Sequence, residues 1–155
     1  MTIESLLCFL DEAFNQRSWH GTNLRGSLRG LSFHQAAWRP APGRHNIWEI
    51  AVHAAYWKYA VRRRITGEKR GSFPLKGSNW FPRPVELSAS AWKNDIALLE
   101  HEHQALRAAV AVLKARSAFH GKRWEQILWG IRGVAAHDLY HAGQIQLLKR
   151  LNRRR

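Results

Sequence analysis

The chain has 155 residues, a formal net charge of +14 and a single cysteine, Cys8. This length suits one domain with a substantial core, and one cysteine excludes both an internal disulfide and a cysteine-based zinc site. Acidic residues interrupt the first apolar stretch, which argues against a signal peptide or a membrane-spanning helix, so we expect a single domain over residues 1–155 in the cytoplasm.

The high positive charge raises the question of a polyanionic partner. Arginine outnumbers lysine 18 to 7, and these residues are spread over most of the chain. Tight basic clusters occur only at Arg62–Arg64, Lys149–Arg150 and Arg153–Arg155. Because nucleic-acid and membrane sites concentrate basic residues on one surface, this spread favours a solvated basic surface over a dedicated polyanion site.

Residues 3–16 are predicted to form the first helix, because apolar residues recur there at helical spacing and Thr2 is a suitable N-cap. Cys8 falls within this pattern and is expected to be a small core residue. Glycine and proline punctuate residues 15–45, which predicts a long crossover with one or two short helical pieces.

The second long helix is predicted to begin after Asn46 and to end near Thr66, before Gly67. Asn46, with Glu49 three residues later, has the sequence pattern of a capping box. The apolar stripe of this helix includes His53, which is therefore expected to face the interior of the domain.

Residues 67–87 show no helical period, and their glycines and prolines would interrupt one. Loops of this length are usually functional or disordered, and Trp80 and Phe81 indicate that this one packs onto the domain. Two interpretations stay open: the loop is a lid over a metal site, or it covers an exposed edge of the core.

The third helix is predicted to start near Ser88 or Ser90, and the fourth follows a linker at residues 117–122. The third carries apolar residues at the alternating spacings of a bundle seam, and His103 lies among them. A single histidine on an apolar face is usually a hydrogen-bonded core residue, and this is what we expect of His103.

Three of the nine histidines lie on apolar faces at spacings that suit a metal ion. His137 and His141 are one turn apart on the fourth helix, where Cβ atoms are roughly 5–6 Å apart, and His53 can supply a third nitrogen. Burying three imidazoles without a metal is costly. We therefore predict one divalent ion, zinc or nickel, with iron or manganese less suited to three imidazoles, and loss of the ion as the pH falls through roughly 6.5.

Several residues near these histidines are candidates for orienting the rings or lining a pocket: Glu49, Tyr56, Trp57, Trp80, Tyr140 and Gln144. Glu49 precedes His53 by one turn and either orients that ring or only caps its helix. Gln144 follows His141 by three residues on the same face and is the stronger candidate for orienting a ring. Asp138 occupies the position where zinc proteases carry a glutamate base, but it points about 100° away around the helix, so we expect a surface or supporting role.

These motifs resemble those of the DinB/YfiT-like family of metal-dependent four-helix-bundle enzymes. The resemblance is carried by residues 47–57, 62–67, 78–82 and 137–148, together with Trp19–Gly21. It implies an all-α fold, a four-helix bundle with long crossover loops, in one DinB-like domain over residues 1–155. It also implies that His53, His137 and His141 are the metal ligands.

The resemblance further implies a homodimer. A small apolar second face on the fourth helix is a candidate interface, formed by Ala135, Leu139, Ala142 and Gly143. This face is expected to pack either inside the bundle or against a second copy of the chain.

Three histidine ligands with an open position are typical of a catalytic metal site, since structural zinc is usually closed by four protein ligands. Such a site polarises a substrate or activates a bound water or thiolate. The resemblance implies a thiol-dependent S-transferase, which uses a low-molecular-weight thiol, or a hydrolase acting on a small-molecule substrate. The alternative is a basic helical binding module for nucleic acid or another polyanion, with a structural metal.

Overall fold

The computed structural model describes residues 2–115 and 121–153. Within them the chain forms six α-helices and no strand: α1 (Ile3–Phe14), α2 (Leu24–Ser27), α3 (Phe33–Ala37), α4 (Ile47–Thr66), α5 (Ala89–Ala111) and α6 (Lys122–Arg153), with a 3-10 turn at Val112–Ala115 after α5. The predicted all-α fold class is confirmed. Most of the predicted linker at residues 117–122 lies outside the described residues, as do His120, Arg154 and Arg155.

The four long helices α1, α4, α5 and α6 form the bundle. α4 packs between α5 and α6, and α1 closes the ring by contacting the same two helices. Both crossovers are long: residues 15–46 carry the short helices α2 and α3, and residues 67–88 carry no helix. Because α4 lies beside α6, the histidine of the second long helix is brought next to the pair on the fourth.

Polar side chains begin the long helices where the sequence predicts. Thr2 caps α1 and Ser88 caps α5. Asn46 Oδ1 accepts a hydrogen bond from the Glu49 backbone N–H at 2.7 Å, and the Glu49 carboxylate accepts one from the Asn46 N–H, so the capping box forms. Gly67 ends α4 with a φ of 82°, a left-handed conformation that favours glycine.

Apolar side chains fill the bundle in two clusters, one around α4 and the crossovers and one between α1, α5 and α6. α1 contributes Leu6, Leu10, Ala13 and Phe14 to the interior. The expectation that Cys8 belongs to the core is wrong, because its thiol is exposed. Cys8 lies two residues from both Leu6 and Leu10, and two residues turn a helix by about 200°.

The loop at residues 67–88 contributes to both the core and the histidine site. Phe73 and Phe81 are buried and pack against each other, with ring centroids 5.4 Å apart. Asn79 and Trp80 instead contact His53. The loop therefore covers an edge of the core through its phenylalanines and forms a wall of the site through the two residues between them.

The small apolar face predicted on the fourth helix does not form one surface. Ala135 and Ala142 are buried inside the bundle and Leu139 is half-buried, whereas Gly143 is exposed. A different stripe of α6 is both apolar and exposed: Trp129, Tyr140, Leu147 and Leu151. Although α6 has 32 residues, neither it nor another helix of the described chain is apolar enough to cross a membrane.

Candidate metal centre

The three predicted histidines meet between α4 and α6. His53 projects from α4, and His137 and His141 lie one turn apart on α6. His137 Nε2 is 3.1 Å from His53 Nε2 and 2.9 Å from His141 Nε2, and one ring nitrogen of each residue lies within 4.8 Å of the others. His53 and His141 are buried and His137 is half-buried. Three nitrogens therefore face one point between the two helices.

Hydrogen bonds on the far side of two rings determine which nitrogen faces that point. His53 Nδ1 donates to the Asn79 carbonyl oxygen at 2.9 Å, and His141 Nδ1 donates to Gln144 Oε1 at 2.7 Å. The Gln144 amide group in turn donates to the Tyr140 hydroxyl at 2.9 Å. With Nδ1 protonated, each Nε2 presents a lone pair, which is the form that binds a metal.

A divalent cation fits this arrangement because it relieves the contact between lone pairs. His137 Nε2 can donate a proton to only one of its two neighbours, and its Nδ1 is buried without a hydrogen-bond partner among the described residues. Buried nitrogens that lack a partner are costly. A cation would satisfy all three Nε2 atoms together, and three donors on one side leave further coordination positions open.

Burial keeps all three imidazoles neutral. It lowers the pKa of His137 to about 3, with smaller contributions from His141 and His53, and it lowers the pKa of His141 to about 4. Burial also lowers the pKa of His53, although the hydrogen bond to Asn79 opposes the change. Since no proton competes for the binding nitrogens at neutral pH, the cluster is ready to accept a cation.

Asn79, in the loop between α4 and α5, is a site residue that sequence reasoning missed. Its carbonyl orients His53, and its side-chain oxygen accepts a hydrogen bond from Trp57 Nε1 at 3.0 Å. Its φ of 64° lies in the left-handed region, which asparagine tolerates better than most residues. The neighbouring Trp80 lies flat between two rings, 3.8 Å from the centroid of His53 and 3.6 Å from that of His45. In the sequence, an asparagine next to an aromatic residue in a long loop was the one feature that indicated this wall of the site.

Glu49 is placed away from His53. Besides capping α4, its carboxylate accepts hydrogen bonds from Arg39 at 2.8 Å and from His45 Nδ1 at 3.0 Å. Burial alone would raise the pKa of Glu49, but the hydrogen bonds from Arg39 and His45 outweigh it, and the pKa is lowered. Glu49 therefore does not orient His53, because the Nδ1 of that ring is already bound to Asn79.

The cavity beside the histidines has a volume of about 890 Å³ and is lined by four of the predicted neighbours: Trp57, Trp80, Tyr140 and Gln144. Tyr56 does not line it, contrary to the expectation that it contributes to the pocket. Its ring packs against Phe73 and Phe81. Tyr56 precedes Trp57 by one residue, so it is turned about 100° around α4 and away from the cavity.

A buried ion pair lies next to the histidines, where sequence reasoning missed it. Asp138 and Lys58 are both fully buried, and Lys58 Nζ donates to Asp138 Oδ2. Two roles were expected for Asp138, one at the surface and one in support of the metal ligands, and the surface role is wrong because this side chain is buried and faces α4. Burial raises the pKa of Asp138 to about 6, even though Lys58 lowers it. Asp138 is therefore held in an ion pair with Lys58. It does not line the cavity, so it is not placed to act as a base there.

His103 is a buried core residue, as predicted, but the expected hydrogen bond is absent within the described chain. Its ring stacks on Phe14 with centroids 3.8 Å apart, and its Nε2 is 3.4 Å from Asp11 Oδ1 without the alignment of a hydrogen bond. Burial lowers the pKa of His103 to about 3, with smaller contributions from Lys58 and Arg107. This ring is therefore neutral, and it lies outside the metal cluster.

One known protein family has a sequence pattern that matches most of this chain. The pattern, described as the DinB superfamily, matches residues 16–145. No curated protein and no solved structure matches the chain. The matched residues include α4, α5 and all three histidines of the candidate metal centre. Because the match covers well over half of the sequence, the chain belongs to the DinB superfamily.

Proposed function

We propose that this protein is a metal-dependent enzyme in which His53, His137 and His141 hold one divalent ion. The observation that carries the proposal is that three neutral histidine nitrogens converge beside a cavity of about 890 Å³. A purely structural site needs no such space, whereas this cavity is large enough for a small-molecule substrate. Three imidazole ligands favour zinc or nickel over iron or manganese.

The residues around the ion position have separate tasks. Asn79 and Gln144 hold two imidazoles with Nε2 toward the site, and Trp80 restricts the plane of His53 by stacking on it. Trp57 lines the cavity and contributes to its apolar wall. The ion, when bound, supplies a Lewis acid that polarises a substrate and lowers the pKa of a bound water or thiol.

The cavity favours thiol-dependent S-transfer over hydrolysis. No carboxylate lines it among the described residues, whereas zinc hydrolases of the HExxH type use one as the general base for water. A thiol depends less on a general base than water does, because its ordinary pKa is about 8.5 and a coordinated thiol loses its proton outright. The proposed reactants are a low-molecular-weight thiol and a small electrophile, in the reducing cytoplasm that also suits a single free cysteine.

The alternative function, a basic binding module for nucleic acid or another polyanion, has weaker support. Arg62, the first residue of one predicted basic cluster, is already paired with Glu68 and Glu102. Lys149 donates hydrogen bonds to two backbone carbonyls of the first crossover. The remaining scattered arginines offer only phosphate contacts, which give weak and strongly salt-dependent binding.

Metal analysis of protein purified without a nickel column tests the proposed function. We expect one ion per chain, and we expect it to be lost from the His53→Ala, His137→Ala and His141→Ala variants. His34→Ala, at an exposed position of α3, is the matched control and should keep the ion. Turnover with thiol-plus-electrophile pairs should require the ion. Unchanged metal content in all three site variants would contradict the assignment.

A further inference from the structure

The cavity that contains the histidines is apolar along most of its walls. Its apolar lining includes Ile50, Trp57, Val61, Trp129, Val134 and Leu148. None of the described lining residues is acidic, and two of them are arginines, Arg44 and Arg64. These walls favour an apolar ligand body, and the arginines favour negative charge on its ends.

A second cavity continues the first toward the C-terminal end of α4. It has a volume of about 480 Å³ and shares four lining residues with the first: Val61, Arg64, Trp129 and Gly130. The described residues that line it also include no acidic one. Arg64 lies 11 residues after His53, which is about 16 Å along the helix axis at 1.5 Å per residue. Because Arg64 lines the first cavity as well as the second, a passage runs within the first cavity from the histidines to Arg64, and the second cavity adjoins it there.

Arg64 is exposed, and within the described part of the chain it forms no ion pair, so its guanidinium group is accessible to a ligand. Its neighbour Arg62 is held by Glu68 and Glu102, but no described carboxylate pairs with Arg64. A guanidinium group presents several donors in one plane, which matches the oxygens of a carboxylate or phosphate. A guanidinium that has no acidic partner among the described residues, at the end of an apolar passage, therefore favours an oxyanion.

From these features we infer that the passage binds an elongated small molecule with an oxyanion at Arg64. Its apolar chain passes Val61 and Trp129, and its other end carries the group that meets the metal ion at the histidines. Only the binding of this second end to the metal ion depends on the proposed function. Gly130 lines both cavities, and an added Cβ there would lie 3.7 Å from Val61 Cγ1, so a larger side chain at this position would enter the space beside Val61.

Binding of matched ligands to the zinc-loaded protein tests the role of Arg64. Two alkyl hydroxamates of equal chain length, one ending in a methyl group and one in a carboxylate, are titrated by calorimetry. The carboxylate is expected to bind about threefold to fivefold more tightly at low salt, because an exposed ion pair contributes modestly and is screened. Arg64→Gln should remove this preference. Arg63→Gln makes the same charge change outside both cavities and should keep it.

Equal affinities for the two hydroxamates in the unsubstituted protein would overturn the inference, as would an unchanged preference in Arg64→Gln. A further outcome is that Arg64→Gln weakens the association of two protein chains and leaves the carboxylate preference unchanged. Arg64 would then contact a second copy of the chain and not a ligand, and the inference would also fail.

A metal-free comparison separates this inference from the proposed function. An alkyl carboxylate and the alcohol of equal length are titrated while tryptophan fluorescence is followed, since Trp57, Trp80 and Trp129 line the cavity. A carboxylate preference that depends on Arg64 supports the inference even where hydroxamates do not bind, in which case the metal proposal alone fails. No carboxylate preference in either form of the protein overturns the inference.

A substitution at the junction of the two cavities tests the path of the chain. Gly130→Leu should weaken long hydroxamates at least severalfold more than short ones, because its side chain would fill the space beside Val61. Gly130→Ala is the control, since its Cβ is accommodated at ordinary contact distance. An equal loss for long and short ligands would show that the chain does not follow this passage.

Discussion

Two of the three metal-facing imidazoles are each controlled by one hydrogen bond at the outer nitrogen. His53 is held by the backbone carbonyl of Asn79, which a side-chain substitution leaves in place, whereas His141 is held by the side chain of Gln144. His137 has no partner at Nδ1 among the described residues. Gln144 is therefore the position where the effect of ring orientation on metal affinity can be isolated.

Gln144→Ala is expected to weaken zinc binding by about 10–100-fold, because partners of metal-bound histidines contribute by this amount when they fix the tautomer and ring orientation. The affinity is measured by competition with a chromophoric chelator. Gln146→Ala is the control, since Gln146 is half-buried on the same helix but does not line the cavity. Equal zinc affinities in the two variants would show that the hydrogen bond to His141 has no such role.

The depressed histidine pKa values predict how the metal-free protein responds to acid. In the folded chain His137 titrates at about 3 and His141 at about 4, whereas an unfolded chain protonates histidine near 6.5. The unfolded state therefore binds more protons below pH 6.5, and the free energy of unfolding falls from there toward pH 3. Asp138 partly offsets this loss between about pH 6 and its ordinary range, because its pKa in the folded chain is raised.

Urea unfolding of the metal-free protein at several pH values measures this effect. His137→Gln should lose stability less steeply below pH 6.5, because glutamine does not titrate. A slope identical to that of the unsubstituted protein would contradict the pKa assignment. Because burial lowers the pKa of these ligands, we expect protons to displace the ion only at a pH below roughly 6.5, the pKa of an exposed histidine.

Between helices, α4 and α6 are joined by a charge pair as well as by apolar packing. Lys58 on α4 and Asp138 on α6 are both fully buried. A buried pair costs desolvation energy and contributes little net stability, but it is satisfied at only one register of the two helices. Because α4 carries His53 and α6 carries His137 and His141, this register also determines whether the three nitrogens meet.

Asp138→Ala is expected to reduce the free energy of unfolding by about 3–5 kcal/mol, because it leaves the Lys58 charge buried without a partner. The double variant Lys58→Met/Asp138→Leu should lose much less, since no charge remains to be buried. Urea unfolding of both variants, at the same pH, measures the difference. Equal losses in the single and double variants would show that packing volume, and not charge, sets the cost.

For the whole molecule, the exposed apolar stripe on α6 is the surface most suited to a second copy. Tyr140 is 63% exposed and Leu147 58% exposed, and both lie on this stripe. Monomeric proteins rarely leave a contiguous apolar strip in water. We therefore expect a homodimer formed through the end of this stripe at Leu147 and Leu151, which leaves Trp129 beside the passage to Arg64, and not through Ala135 and Ala142, which the bundle already buries.

Light scattering at micromolar concentration should give twice the chain mass of 17.9 kDa. Leu147→Glu should return the protein to a monomer, because it places a charge in the contact. Val112→Glu introduces the same change at a position that is 57% exposed outside α6 and should leave the dimer intact. A monomeric mass for the unsubstituted protein would exclude this interface.

The sequence by itself determined the features that depend on neighbours along one helix. The periods of apolar residues located the four long helices, and the capping pair Asn46 and Glu49 marked where α4 begins. The spacing of His137 and His141 placed two imidazoles on one face of α6. Side chains three or four residues apart are set by helical geometry alone, so these features can be read without knowing the rest of the fold.

Only the tertiary structure decided the contacts between distant segments. The bond from His53 to Asn79 joins residues 26 positions apart, and the pair of Lys58 and Asp138 joins residues 80 positions apart. Glu49 likewise has Arg39 and not His53 as its main partner. No local pattern encodes such pairings, because they depend on how helices and loops pack together, and packing is what turned three histidines in sequence into one cluster.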